Sequence, residues 1–159
     1  MTHPEKKKHS PRPRPVPPPR LTYEQQLARA VAERSKALLH LGEAQDALRA
    51  EVAPNGIAHS AYYAMHHCAI AVLLVNGGVD RSGDVPGSHQ LVIDKFSELA
   101  RDIEGLSECA VSLRQVQSDR IVADYELARS VSMAEAGSAV EQAKTFVKEC
   151  EARWPELKQ

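Results

Sequence analysis

The chain has 159 residues, a length that fits one domain around a single core. Only seven positions are aromatic and eight are Gly, too few for the turn-rich, aromatic-packed sheets of a sandwich or barrel, whereas the abundant Leu, Ala, Glu and Gln favour helix. The formal charge of −1 conceals two unlike parts: residues 1–20 carry six Lys or Arg against Glu5, a net of +5, and the other 14 basic and 20 acidic side chains leave the body at −6.

Residues 1–20 also hold seven of the ten prolines, which predicts a disordered, partly polyproline II arm, because Pro lacks the donor a helix interior needs. Its charge suits nucleic acid or an acidic partner; the plainer reading is a solubilising extension. No apolar segment follows its basic residues, so it does not read as a signal peptide. The longest apolar run, 61–75, is interrupted by His66 and His67 and is too short to span a bilayer. Cys68, Cys109 and Cys150 are widely spaced, form no CxxC pair and leave one thiol over, which suits a reducing compartment; each falls on an apolar helical stripe and reads as a small buried hydrophobe. The expectation is a cytoplasmic protein with no membrane segment.

Helix signals then follow in order. Thr22 with Gln25 three residues on is a capping box, and apolar positions recur at Leu27, Ala30, Val31, Ala37, Leu38, Leu41, Ala44 and Leu48 until Pro54-Asn55-Gly56, which reads as a stop. A second helix, 57–75, is apolar on nearly every side and is expected at the centre of a bundle, with Asn76-Gly77-Gly78 ending it in the left-handed region. After a polar loop at 79–87, Ser88 caps a third helix that carries Leu91, Val92, Phe96, Leu99 and Ile103 on one face and runs to Gly105. Ser107 reads as the cap of a fourth, with Ala110, Leu113, Val116, Arg120 and Ala123. Ser132 and Glu135 form a second capping box and open a fifth helix, which closes before Pro155. The result is an all-α fold, an antiparallel bundle of four long helices and a shorter one, spanning 21–154 between the arm at 1–20 and a tail at 155–159.

Arg120 breaks the pattern. It sits on the stripe of Leu113, Val116 and Ala123, the side that packs, with Asp124 one turn later and Tyr125 next to it. A guanidinium there must be paired. The plainer reading is an i,i+4 Arg120–Asp124 pair covered by Tyr125; the functional one is an Arg whose planar fork takes phosphate oxygens. His59, Tyr63 and His66 share a face of the second helix, and His67 lies one turn after Tyr63. Imidazoles so placed read either as hydrogen-bonded lining residues or as ligands; no carboxylate on that helix completes a metal set. His89, at the start of the third helix, is either a surface residue or an anion contact beside the helix N-terminus. There is no Gly-rich phosphate loop and no GxSxG, and neither a metal nor a cofactor is called for.

Several stretches in order resemble the HEPN superfamily, helical bundles named for a higher-eukaryote and prokaryote nucleotide-binding domain. The run Ser60-Ala61-Tyr62-Tyr63-Ala64-Met65-His66-His67-Cys68-Ala69 is similar to the family's x-A-Y-Y-A-M-F-H-A-A helix, with His66 where an aromatic is usual. Ser88 and His89 followed by Val92, Ile93 and Phe96 resemble S-H-x-x-V-I-x-x-F, and Arg120, Ala123, Asp124 and Tyr125 match the R-x-x-A-D-Y signature of a small prokaryotic branch. The resemblance covers about 22 to 151.

What the resemblance implies about function has two branches. Catalytic members are metal-independent ribonucleases with an Arg followed four to six residues on by His, assembled across a dimer. The Arg maps to Arg120, but positions 125–127 are Tyr, Glu and Leu, and no histidine follows His89. An ordinary Tyr stays protonated and an ordinary Asp ionised near neutral pH, so neither Tyr125 nor Asp124 replaces that His. The first reading is therefore a non-catalytic or weakly catalytic homodimeric module that binds nucleotide, RNA or a partner protein. Tyr63, His66, His67 and His89 line its ligand site, Arg120 touches phosphate or stabilises the dimer, and Asp124 and Tyr125 orient it. Family resemblance points to a small nucleotidyltransferase as partner, in a toxin–antitoxin-like or defence setting. The alternative is a metal-independent endoribonuclease toxin in which His66, His67 or His89 replaces the missing histidine. A third reading is a structural adaptor whose basic arm docks an acidic partner.

Overall fold

A computed structural model describes residues 14–126 and 129–159. Among these there is no strand. The helices are α1 (Tyr23–Arg49), α2 (Pro54–Val75), α3 (His89–Arg101), α4 (Ser107–Tyr125) and α5 (Met133–Arg153), followed by a short 3₁₀ helix, Pro155–Lys158. This is the all-α bundle expected from the sequence, with α3 as its short member. No helix among the described residues is long and apolar enough to cross a membrane. Residues 14–20 are exposed and carry no regular structure; the rest of the arm, 1–13, lies outside the described residues.

Both capping boxes form. Thr22 Oγ1 accepts from Gln25 N at 3.2 Å while Gln25 Oε1 accepts from Thr22 N at 2.9 Å, and Ser132 and Glu135 make the same reciprocal pair. Ser88 Oγ accepts from Leu91 N and caps α3. Three boundaries differ from the sequence reading. Pro54-Asn55-Gly56 is the first turn of α2 and not the stop of α1, because Pro at the first helical position needs no N–H and already has the right φ. The chain reverses before it through Glu51 and Ala53, both at positive φ. Helix α3 stops at Arg101, not Gly105; two tight turns follow, with Gly105 at φ +83°. Ser107 does not cap α4: Leu106 occupies that position, and its burial sets the chain's entry.

Helix α2 is the bundle's axis. Fourteen of its 22 residues are buried, and it packs against α1, α3, α4 and α5. Its end is enforced at Gly78 (φ +76°), where an added Cβ would stand 2.2 Å from the Gly83 carbonyl. The loop after it is tied to α1: buried Gln26 donates to Gly83 O at 2.8 Å and Arg29 pairs with Asp84. At the other end Asn55 Oδ1 accepts from Val131 N at 3.0 Å, joining the start of α2 to the segment before α5. Contacts of His59 with Asp124 and of Tyr62 with His89 bring the N-terminal half of α2, the start of α3 and the C-terminal end of α4 together. The three cysteines are buried and free, as small hydrophobes. The packed body continues past the expected boundary at 154, because Leu157 in the 3₁₀ helix is fully buried.

Candidate functional site

Leu113 and Val116 on the inner stripe of α4 are fully buried, and the same stripe turns the Arg120 side chain inward, to 14% exposure. Its Cζ lies 5.6, 5.8 and 5.3 Å from the ring centroids of Tyr62, Tyr63 and Tyr125. The negative faces of these rings favour a cation. Nη2 donates to Tyr125 Oη at 3.3 Å. Nε stands 2.8 Å from Asp124 Oδ2, an ion pair, but its N–H is not directed at the oxygen and has no hydrogen-bond partner. Burial opposes the charge on Arg120; Tyr63, Tyr125 and Asp124 outweigh it and raise its pKa. So the i,i+4 pair read from the sequence exists, and it leaves most of the fork unused.

Asp124 is shared. Its Oδ2 and Oδ1 lie 3.1 and 3.2 Å from Nδ1 of His59 on α2. Replacing Asp124 by Ala strands both the guanidinium and the imidazole, and is expected to lower the unfolding free energy by roughly 1–3 kcal/mol in urea melts. An unchanged midpoint would show that the pair carries no stability.

Tyr63 is the hub of the site. Its ring lies 4.7 Å from His59, 5.6 Å from His40, 5.6 Å from His89 and 6.1 Å from His66 and His67, centroid to centroid. Beside it, fully buried Tyr62 shares a 2.7 Å hydrogen bond with His89 Nδ1, and burial pushes its phenol up to about 12. His66 and His89 stack at 4.3 Å, 11° from parallel. His66 is 4% exposed and its Nδ1 has no partner; burial first, then His89 and His67, push its pKa down to about 3, so it is neutral. His67 Nδ1 meets Glu33 Oε2 at 2.6 Å, and His40 stacks on His67. Burial would raise Glu33, but hydrogen bonds from His67 and Lys36 prevail and hold it at about 2.

The structure thus brings Tyr63, His66, His67, His89, Arg120, Asp124 and Tyr125 into one cluster. The carboxylates that α2 lacks arrive from its neighbours, Glu33 from α1 and Asp124 from α4. Even so, among the described residues no three His, Cys, Asp or Glu side chains converge as a metal set. Sequence reasoning did not single out Glu33, His40 or Tyr62. Glu33 was detectable: it lies on the stripe of Ala30, Ala37, Leu41 and Ala44, all buried, where a carboxylate needs a partner.

Fold and site together define an all-helical bundle domain whose central helix presents aromatic and imidazole rings to one inward-turned arginine. Compared with known families, residues 31–153 match the HEPN domain, from the first third of α1 to the end of α5. The chain belongs to the HEPN family. No curated protein matches it.

Proposed function

We propose that this HEPN module binds the phosphate of a nucleotide or RNA strand at Arg120, without catalysis or with weak catalysis. One observation carries the reading: among the described residues the guanidinium, held by three tyrosines, finds a single hydrogen-bond acceptor, Tyr125 Oη. A buried fork with unused donors suits phosphate oxygens, and exposed Tyr125 beside it offers a ring on which a base can stack. Homodimerisation through α4 is what the family resemblance favours. A small nucleotidyltransferase in a toxin–antitoxin-like or defence setting, in the cytoplasm, is the partner the family resemblance favours. Titration of ATP and of a short single-stranded RNA, alongside sedimentation velocity, tests the reading: binding lost on Arg120→Ala supports it, and identical wild-type and variant titrations refute it. Co-purification of a nucleotidyltransferase with the tagged chain tests the partner.

The second reading, cleavage of RNA without a metal, is favoured by the imidazoles around Arg120. Of the three histidines expected to replace the missing one, His66 is buried and neutral, whereas Tyr62 occupies only Nδ1 of His89 and Glu33 only Nδ1 of His67.

A further inference from the structure

We propose that the arm just ahead of α1 is a polyproline II ligand, whose Pro15-x-x-Pro18-x-Arg20 spacing fits a partner domain with a groove lined by aromatic rings and ending in a carboxylate. Every residue from 14 to 19 is either a proline or the residue before one. A proline fixes its own φ and turns the residue before it away from the helical region. The segment is therefore close to polyproline II before it meets anything, at three residues per turn. With that period Pro15 and Pro18 fall on one edge, about 9 Å apart, and Arg14, Pro17 and Arg20 on the next. Val16 and Pro19 take the third. Two neighbouring edges thus offer flat pyrrolidine rings to a groove, with a guanidinium at their end. Val16, on the edge turned away, is 89% exposed.

The fold presents this segment outward. Residues 14–20 are exposed throughout, and the backbone hydrogen bond that ties the arm to the body comes after them, from Leu21 N to Ser82 O at 2.7 Å. Pro17 and Pro18 border Asp80, Arg81 and Ser82 across an open cleft, a contact that a partner can replace. Four of the residues 15–19 are prolines, so the segment loses little freedom when a groove takes it. A nucleic acid is the poorer fit. Residues 14–20 hold two arginines and no aromatic ring on which a base could stack, and a phosphate backbone that answers to charge has no use for prolines three apart. Ser82 lies beyond the C-terminal end of α2, whereas the rings that meet Arg120 stand in that helix's N-terminal half. The arm therefore acts independently of the phosphate site.

The test titrates the full chain with a purified SH3 domain that takes Pro-x-x-Pro-x-Arg ligands, the probe groove, and in parallel with a single-stranded RNA. Expected is saturable one-to-one binding of the SH3 domain. Replacing Pro15 and Pro18 together by Ala keeps every charge and removes the spacing; Arg20→Glu does the reverse. Each is expected to weaken binding by about tenfold or more. Positions 15, 18 and 20 precede α1 and are exposed, so binding lost there is not a fold lost. Replacing Lys6, Lys7 and Lys8 by Ala is expected to change the affinity by no more than about twofold at physiological salt. Arg120→Ala is expected to bind the SH3 domain as the wild type does, which separates this proposal from the phosphate reading. A full chain that the SH3 domain does not bind, or equal binding by the wild type and the proline variant, overturns the proposal. So does a triple-lysine variant that loses more binding than the proline variant, because the arm is then read by its charge. RNA affinity that falls on removal of residues 1–20 while the SH3 domain stays unbound also overturns it, and assigns the arm to nucleic acid.

Discussion

Arg120→Ala is expected to weaken binding of single-stranded RNA or nucleotide by about 10–100-fold, the loss of one or two charge-assisted hydrogen bonds, with the helical circular dichroism intact. Arg120→Lys is expected to recover little. A lysine offers a point charge in place of the planar fork, and loses the stacking of a guanidinium between Tyr62, Tyr63 and Tyr125. The salt dependence separates a phosphate contact from a packing effect: each lost phosphate contact on a single strand reduces the slope of log K against log salt by about 0.7. Removing the arginine leaves Asp124 paired with His59, whereas removing Asp124 leaves a mostly buried cation. Stability is therefore expected to fall more for Asp124→Ala than for Arg120→Ala, and binding in the reverse order. If both variants bind as the wild type does and sediment as it does, Arg120 has no role in either ligand binding or assembly.

The second large effect concerns acid. His66 has its pKa lowered in the fold from 6.5 to about 3, by burial and then by His89 and His67. The unfolded chain takes up a proton below about pH 6.5 that the folded chain refuses, so stability is whole above that pH and declines as pH falls toward 3. By pH 5 this site alone costs about 2 kcal/mol. The groups facing His66 are Glu33 from α1, His67 beside it, His89 from α3 and Arg120 from α4; of these only Glu33 favours the imidazolium. His89, also lowered by burial and then by Arg120, acts in the same direction. Glu33 acts in another window. Its pKa is lowered from 4.5 to about 2, so the stability it contributes is present above 4.5 and is lost only below that. His66→Phe keeps a ring to stack on His89 and removes both the titration and the unpartnered Nδ1. The variant is expected to be about 1 kcal/mol or more stabler at pH 7 and to lose markedly less stability than the wild type between pH 7 and pH 5 in urea unfolding. Equal losses in the two proteins would show that His66 does not govern the acid response.

What was legible beforehand follows the range of each interaction. Helix starts were readable at Thr22 and Ser132 because a capping box closes within three residues. The Leu113–Val116–Arg120 stripe turned Arg120 inward, and the Arg120–Asp124 pair needed nothing beyond one turn of α4. Pro54 is ambiguous in the sequence because the same Pro-Asn-Gly signal that ends one helix also suits the first turn of the next, and only the backbone reversal at Glu51 and Ala53 decides between them. Ser107 lies one residue inside α4 because buried Leu106 takes the capping position without a side-chain hydrogen bond.

By itself, then, the order of residues determined five helices, their inward faces, the apolar α2 at the centre, and a cation on a packing side, because each is set by spacing within a turn or two. The chemistry was decided by tertiary structure. His59 meets Asp124 across 65 residues, His67 meets Glu33 across 34, and Tyr62 meets His89 across 27. Periodicity says which side chains share a stripe, but which stripe slides against which, and at what height, is settled only when the helices pack. That register sets the rings of α2 against Arg120 and Asp124 of α4.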